Sequence, residues 1–116
     1  MTVTSSAPAA TEPLRVSVRR PRARTVVVEV TGAVDLASAP RLDELLTSRL
    51  RSAVTLLILD LSGVSSVSPA GVAVLVRARL LAQQRGVALR GTAGESGAAT
   101  RALLTAGLTT SLSAAV

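Results

Sequence analysis

The sequence predicts an α/β domain of the α+β kind, in which about three to four helices pack on a four- to five-stranded mixed sheet. Strand-like and helix-like segments alternate along the chain in the order β-β-α-β-α-β-α. Hydrophobic residues make up 48% of the 116 positions and none is aromatic, so a single core has to be packed from Val, Leu, Ile and Ala. Residues 1–13, rich in Ser, Thr, Ala and Pro, predict a disordered tail, and residues 14–116 predict the folded domain.

Two strand patterns open the folded part. Residues 14–20 alternate apolar and polar side chains, which is typical of a half-buried strand. Residues 25–32 are rich in β-branched side chains and predict a more buried strand, with Pro21 in a hairpin connection between the two. The continuous apolar run at 53–61 predicts a central strand covered on both faces, and 62–68 predict a loop or a short extension of that strand.

The helices are predicted from leucine spacing and from stop signals. Residues 35–52 carry leucines on one amphipathic stripe, and Pro40 is tolerated in the first turn of that helix. A second helix is predicted over 69–85, because apolar residues keep the 3.6-residue period and Gly86 provides a stop. The remaining expectations are a strand at 87–91, a connection at 92–97, a third helix at 98–107 and a last short strand in 108–116.

Composition argues against catalysis and against metal binding. The chain has no histidine, no cysteine and no lysine, so a serine nucleophile lacks its usual base, and Cys/His metal sites and disulfides are excluded. No nucleotide-binding glycine motif occurs. We therefore expect no enzyme activity, no cofactor and no metal. Since no signal peptide and no apolar run long enough to span a bilayer is visible, we expect a cytoplasmic protein without membrane insertion.

The basic residues are all arginine, and five of them fall within residues 15–24. Two interpretations are open for this run. The run is either a phosphate-contacting patch, whose binding would depend strongly on salt concentration, or a solvated turn between two strands. The second is favoured, because a basic run without aromatic residues or a binding motif is weak evidence. Nucleic acid is therefore not the expected partner.

Three segments stand out by their order and separation: TGAVDLASAPRL at 31–42, LLILDLSGVSSVSPAGVAVLV at 56–76, and TRALLTAGL at 100–108. Together they resemble the STAS family, whose best-known members are bacterial anti-sigma factor antagonists. The resemblance covers about residues 14–112. Each motif alone is weak, whereas three of them in order at matching separations are specific. The resemblance implies a STAS-like fold and a protein-interaction module.

The resemblance also implies a site and a specific loss within it. The family's usual phosphoacceptor directly precedes the glycine that opens the second helix, and here Ala70 precedes Gly71. Alanine has no hydroxyl, so the family's phosphorylation switch is lost at this position. Ser68 and Pro69 stand where an aspartate and a serine are usual, and both favour a helix start, as N-cap and first residue. The implied partner-binding residues are Asp35, Ser66, Ser68, Pro69, Ala70 and Gly71.

Several roles within this site stay open. Asp35 is either part of the partner-facing surface or a turn residue that caps the loop before the first helix. Gly32 and Gly71 are interpreted as backbone requirements rather than contacts. Whether Ser65, Ser66 or Ser68 is modified in place of Ala70 is also open.

Two functions follow as expectations. The first is an anti-sigma factor antagonist that binds an anti-sigma factor, typically a histidine-kinase-like ATPase with serine kinase activity, and so regulates sigma-factor-dependent transcription. The second is a STAS subunit of a larger assembly, such as a lipid-transport ABC complex or a stressosome-like scaffold.

Overall fold

The computed structural model describes residues 12–108 and 110–111. Within them the chain forms one five-stranded sheet in the order β1-β2-β3-β4-β5, with β1 antiparallel to β2 and the other neighbours parallel. The predicted mixed sheet with packed helices is confirmed. The elements are β1 (Arg15–Arg22), β2 (Thr25–Val34), α1 (Ala39–Leu50), β3 (Leu56–Val67), α2 (Pro69–Arg85), β4 (Ala88–Thr92), α3 (Gly97–Thr105) and β5 (Thr110–Ser111).

The core is aliphatic, as the composition predicts. Alternate residues of β2 and β3 belong to one buried cluster with the apolar stripes of α1, α2 and α3. Close packing of α3 on the sheet depends on Gly91 of β4, where an added Cβ would lie 2.6 Å from the Leu103 side chain. On the opposite side of the central strands, Val27 and Ile58 are also buried, which agrees with the expectation of a strand buried on both faces.

The hairpin between β1 and β2 differs from the expectation. Pro21 lies inside β1, at a register shift between Arg19 and Arg22, and the turn is made by Ala23 and Arg24. Proline is tolerated there because β1 is an edge strand, where a missing N–H costs no ladder bond. The carbonyl of Arg24 accepts from Thr55 N at 2.8 Å, which fixes the turn beside the start of β3.

Of the predicted tail, only its last two residues lie within the described part. The Glu12 carbonyl accepts a hydrogen bond from Ala33 N at 3.1 Å, so the chain is already paired with the end of β2 at this point. Gly32 has φ +89, and a Cβ there would lie 2.1 Å from the Pro13 carbonyl oxygen. The backbone requirement predicted for Gly32 is confirmed. Residues 1–11, 109 and 112–116 lie outside the described residues.

The parallel pairing of β2 with β3 decides where the candidate site lies. Val34 pairs with Val67, so both strands end at the same edge of the sheet. The turn before α1 and the first turn of α2 therefore leave the sheet side by side. Among the described residues, no helix is long and apolar enough to cross a membrane.

Candidate docking surface

The start of α2 is built by Ser68 and Pro69. Ser68 is the N-cap, with extended backbone, and its N–H donates to the Val34 carbonyl at 2.8 Å. Its Oγ accepts from Gly71 N at 3.4 Å, a long bond that satisfies one free helix donor. Pro69 follows as the first helical residue, a position where a backbone N–H would have no intrahelical acceptor, so its absence costs nothing. The predicted helix start and the stop at Gly86 are both confirmed.

Gly71 is buried and lets α2 approach the sheet. A Cβ at this position would lie 2.7 Å from Val67 Cγ1 and 2.8 Å from Val34 Cγ1. The φ angle of Gly71 is not positive, so glycine is required here because α2 lies so close to the sheet and not because of its backbone conformation. Gly71 therefore positions the first turn of α2 against the ends of both strands.

Ala70 has only a methyl group at the position where the resemblance predicts a hydroxyl. It is half-buried and lines a cavity of about 230 Å³ between α1 and α2, together with Leu36, Pro40 and Ala73. At one edge of this cavity Arg77 pairs with Asp43 at 3.2 Å. The site beside the ends of β2 and β3 is thus a small apolar depression with an ion pair at its rim.

Leu36 is the feature that sequence reasoning missed. It is 79% exposed, more than any other large hydrophobic side chain in the described part of the chain. Its position in a turn, off the leucine stripe of α1, was the available signal. Leu36 also lines the cavity beside Ala70, so the two form one contiguous apolar surface, and contiguous exposed apolar surface is a feature of protein-interaction sites.

The turn that carries Leu36 is closed by Asp35 and Ser38. Asp35 Oδ1 accepts from Ser38 N at 2.8 Å and lies 2.9 Å from Ser38 Oγ, which in turn accepts from Asp35 N at 3.0 Å. The backbone and side-chain hydrogen bonds from Ser38 hold the pKa of the Asp35 carboxyl below its ordinary value. The turn interpretation of Asp35 therefore has a direct structural basis, whereas its contact with a partner stays a prediction.

Three of the predicted site residues, Ala70, Ser66 and Pro69, divide between two neighbouring cavities. Ala70 lies toward α1, as described above, whereas Asp35 lines a separate cavity of about 360 Å³. Ser66 and Pro69 lie on the other side of the α2 start, where they line a cavity of about 580 Å³ toward α3 with Ser65 and Arg101. The Ser65 and Ser66 side chains are exposed. The start of α2 separates the two cavities, so one partner contacting all predicted residues has to cover this helix end.

The acidic residues do not form a metal centre in the part of the chain that the structure describes, where no group of three or more Asp or Glu side chains converges. Asp60, which lies within β3, has a structural role instead. Its Oδ1 accepts from Ser62 N at 3.0 Å and from Thr92 Oγ1 at 3.1 Å, which ties β3 to β4.

Residues 16–113 match the family model described as Mlab, STAS domain. The structure is similar to a crystal structure of an anti-sigma factor antagonist from Mycobacterium paratuberculosis, with a TM-score of 0.75 and 18% identity over 88% of each chain. It is also similar to the anti-sigma factor antagonist SpoIIAA in its unphosphorylated form, with a TM-score of 0.69 and 14% identity over 84% of this chain and 88% of that one.

A variant of RsbS from Moorella thermoacetica has a TM-score of 0.65 and 24% identity over 85% of this chain and 87% of that one. At these identities the structural likeness establishes the fold alone. A search of curated proteins finds no match to the chain.

Proposed function

The chain belongs to the STAS domain family, and from this premise we propose that it is a non-enzymatic interaction module of the anti-sigma factor antagonist type. In this proposal it acts in the cytoplasm and binds an anti-sigma factor with serine kinase activity. It thereby regulates sigma-factor-dependent transcription. The observation that carries the proposal is the apolar surface around Leu36 and Ala70, at the edge where β2 and β3 end.

This surface has the properties of a preformed contact. The hydrogen bonds between Asp35 and Ser38 hold the turn that presents Leu36, so little conformational entropy is lost there on binding. The cap at Ser68 and the close contacts of Gly71 fix the first turn of α2 beside it. A partner that buries Leu36 in a pocket would gain about 1.5–3 kcal/mol from that side chain alone.

The proposed contact is not switched by phosphorylation at Ala70. A phosphate at this position would add about −1.5 to −2 charges to a small apolar cavity, and binding would be opposed by charge and bulk. Ala70 cannot carry one, so the surface stays in the binding form with respect to this site. The absence of histidine and lysine from the sequence supports the non-enzymatic part of the proposal, since nearby serines have no usual base.

The test is affinity capture from the native host with the full chain as bait, followed by identification of partners by mass spectrometry. We expect an anti-sigma factor kinase to be captured. Leu36→Ser should lower the yield of this partner at least 10-fold, in line with the loss of a buried anchor. Leu104→Ser is the matched control, because Leu104 is also exposed, at 64%, but lies on α3 and lines neither cavity.

Incubation of the chain with the captured kinase and labelled ATP completes this test. Residues 68–71 of the native chain should stay unlabelled, whereas Ala70→Ser should accept phosphate there. Label on Ser68 of the native chain would contradict the proposed loss of the switch.

A second candidate function is a STAS subunit of a larger assembly, such as a lipid-transport ABC complex or a stressosome-like scaffold. The description of the matching family model, Mlab, STAS domain, favours keeping it. Capture of a transporter ATPase in place of an anti-sigma factor would support this candidate over the first.

A further inference from the structure

The end of the sheet opposite the candidate docking surface is formed by three connections that lie side by side. These are the β1–β2 hairpin, the α1–β3 connection and the α2–β4 connection. Thr55 N donates to the Arg24 carbonyl at 2.8 Å, and Ala88 N donates to the Thr55 carbonyl at 2.9 Å. One continuous surface therefore runs from the hairpin to the end of α2.

This surface is strongly basic. No Asp or Glu occurs in residues 13–28, 45–59 or 61–94, which include all three connections. All seven Asp and Glu residues of the chain therefore lie outside these segments. The basic surface, called the arginine end below, carries five exposed arginine residues, Arg20, Arg22, Arg24, Arg51 and Arg85.

Helix stabilisation explains part of this arrangement. Arg85 donates from Nε to the Leu50 carbonyl at 2.9 Å and from Nη2 to the Arg51 carbonyl at 3.1 Å, so it satisfies free carbonyls at the end of α1. Arg51 itself lies at that helix end, where a positive charge is favourable. The hairpin arginines lie on no helix, and this explanation does not extend to them.

We propose that the arginine end is a peripheral binding surface for anionic phospholipid headgroups. Guanidinium groups bind phosphate oxygens in a bidentate manner, and several of them on one surface match a plane of phosphates. The residues between them, such as Ala23, Ala53 and Gly86, are small and do not hinder close approach.

The arrangement favours a lipid surface over a nucleic acid. The arginines spread over three connections instead of following one helix or one groove, and the chain has no aromatic residue on which bases could stack. In the part of the chain that the structure describes, the exposed large aliphatic side chains, Leu36, Leu80 and Leu104, all lie outside the three connections. Binding at the arginine end is therefore electrostatic and is weakened by salt.

Membrane binding in this orientation is compatible with docking at the other end. The strands β2 and β3 run from the arginine end to the candidate docking surface, so that surface would point away from the lipid. The proposal does not depend on which partner docks there, and its test uses the chain alone.

The test is co-sedimentation of the full chain with vesicles made of equal parts phosphatidylglycerol and phosphatidylcholine, and with vesicles of phosphatidylcholine alone. We expect binding only to the anionic vesicles and release at high salt. The triple variant Arg20→Gln, Arg22→Gln and Arg24→Gln should bind about 100-fold more weakly, because each arginine near an anionic surface contributes about fivefold.

The matched control is Arg15→Gln, Arg90→Gln and Arg101→Gln, which removes the same net charge from three exposed arginines outside the three connections. It should retain most of the binding. Equal losses in the two triple variants, no binding to anionic vesicles, or a stronger affinity for duplex DNA than for the vesicles would each overturn the proposal. Circular dichroism of both variants establishes that they are folded.

Discussion

Gly71 in the first turn of α2 packs directly against Val34 at the end of β2. A Cβ added at Gly71 would lie only 2.8 Å from Val34 Cγ1. The N–H of Ser68 is bonded to the carbonyl of the same valine at 2.8 Å. The start of the helix and the end of the strand are therefore locked together at one residue. This contact sets the separation between Ala70 and the turn that carries Leu36.

Gly71→Ala should destabilise the fold by about 1–2 kcal/mol. The added methyl group would press on the stiff side chains of Val34 and Val67, and overpacking of this kind costs about 1–3 kcal/mol, partly offset by the better helix propensity of alanine. Urea unfolding measures the change. The control is Gly97→Ala in α3, where the new Cβ would approach only the flexible Arg101 guanidinium at 3.4 Å. A loss of equal size in both variants would show that packing against Val34 and Val67 does not decide the effect.

Arg24→Gly should stabilise the fold by about 0.5–1 kcal/mol. Arg24 has φ +61, in the left-handed region of backbone conformation. This conformation costs a residue with a side chain about 1–2 kcal/mol and costs glycine much less. The gain is reduced because glycine loses more conformational entropy on folding. Thermal unfolding should show a higher midpoint. Arg22→Gly, in β1 next to the turn, is the control and should lower the midpoint, since glycine weakens a strand.

The Asp35 carboxyl should contribute to the pH dependence of stability. Its pKa is lowered by the hydrogen bonds from Ser38, so the folded state favours the ionised form. This stabilisation is present above the ordinary pKa of 3.8 and is lost as the pH falls below it, through the lower pKa of the folded state. Urea midpoints measured from neutral pH downward should fall less steeply for Asp35→Asn than for the native chain.

Ser38→Ala removes the side-chain hydrogen bond to the Asp35 carboxylate and keeps the backbone one. Its urea midpoint should therefore fall with pH less steeply than that of the native chain and more steeply than that of Asp35→Asn. Identical slopes for the native chain and both variants would mean that the Asp35–Ser38 turn makes no difference to the ionisation of the carboxyl.

The sequence was sufficient for the elements whose ends are marked by backbone chemistry. Helix α2 was predicted with its observed bounds, because Ser68 and Pro69 favour a start and Gly86 a left-handed stop. The predicted hairpin connection included Pro21, which lies in β1 instead. Proline is excluded from central strands because it lacks the N–H for a ladder hydrogen bond, but an edge strand can accommodate it. The positive φ of Arg24 has no sequence signal, because arginine rarely adopts it.

For the candidate site, the sequence located the α2 start and Asp35, and it indicated Ser38 as a cap of α1, but it did not locate Leu36 or the hydrogen bonds from Ser38 to Asp35. Exposure of a leucine depends on the path of the turn, and this path is fixed by hydrogen bonds that spacing alone does not reveal. The division of Ala70 from Ser66 and Pro69 between two cavities likewise depends on how α1 and α3 flank α2.

Calorimetry of the captured partner with Ala70→Asp tests directly whether the partner binds at the surface formed by Leu36 and Ala70. A carboxylate in this apolar cavity should weaken binding about 10- to 100-fold, as expected for an unpaired charge in an interface. The same substitution at the exposed Ala53, at the opposite end of the sheet, should leave the affinity unchanged. Equal affinities of the native chain and Ala70→Asp would show that the partner does not bind at this surface.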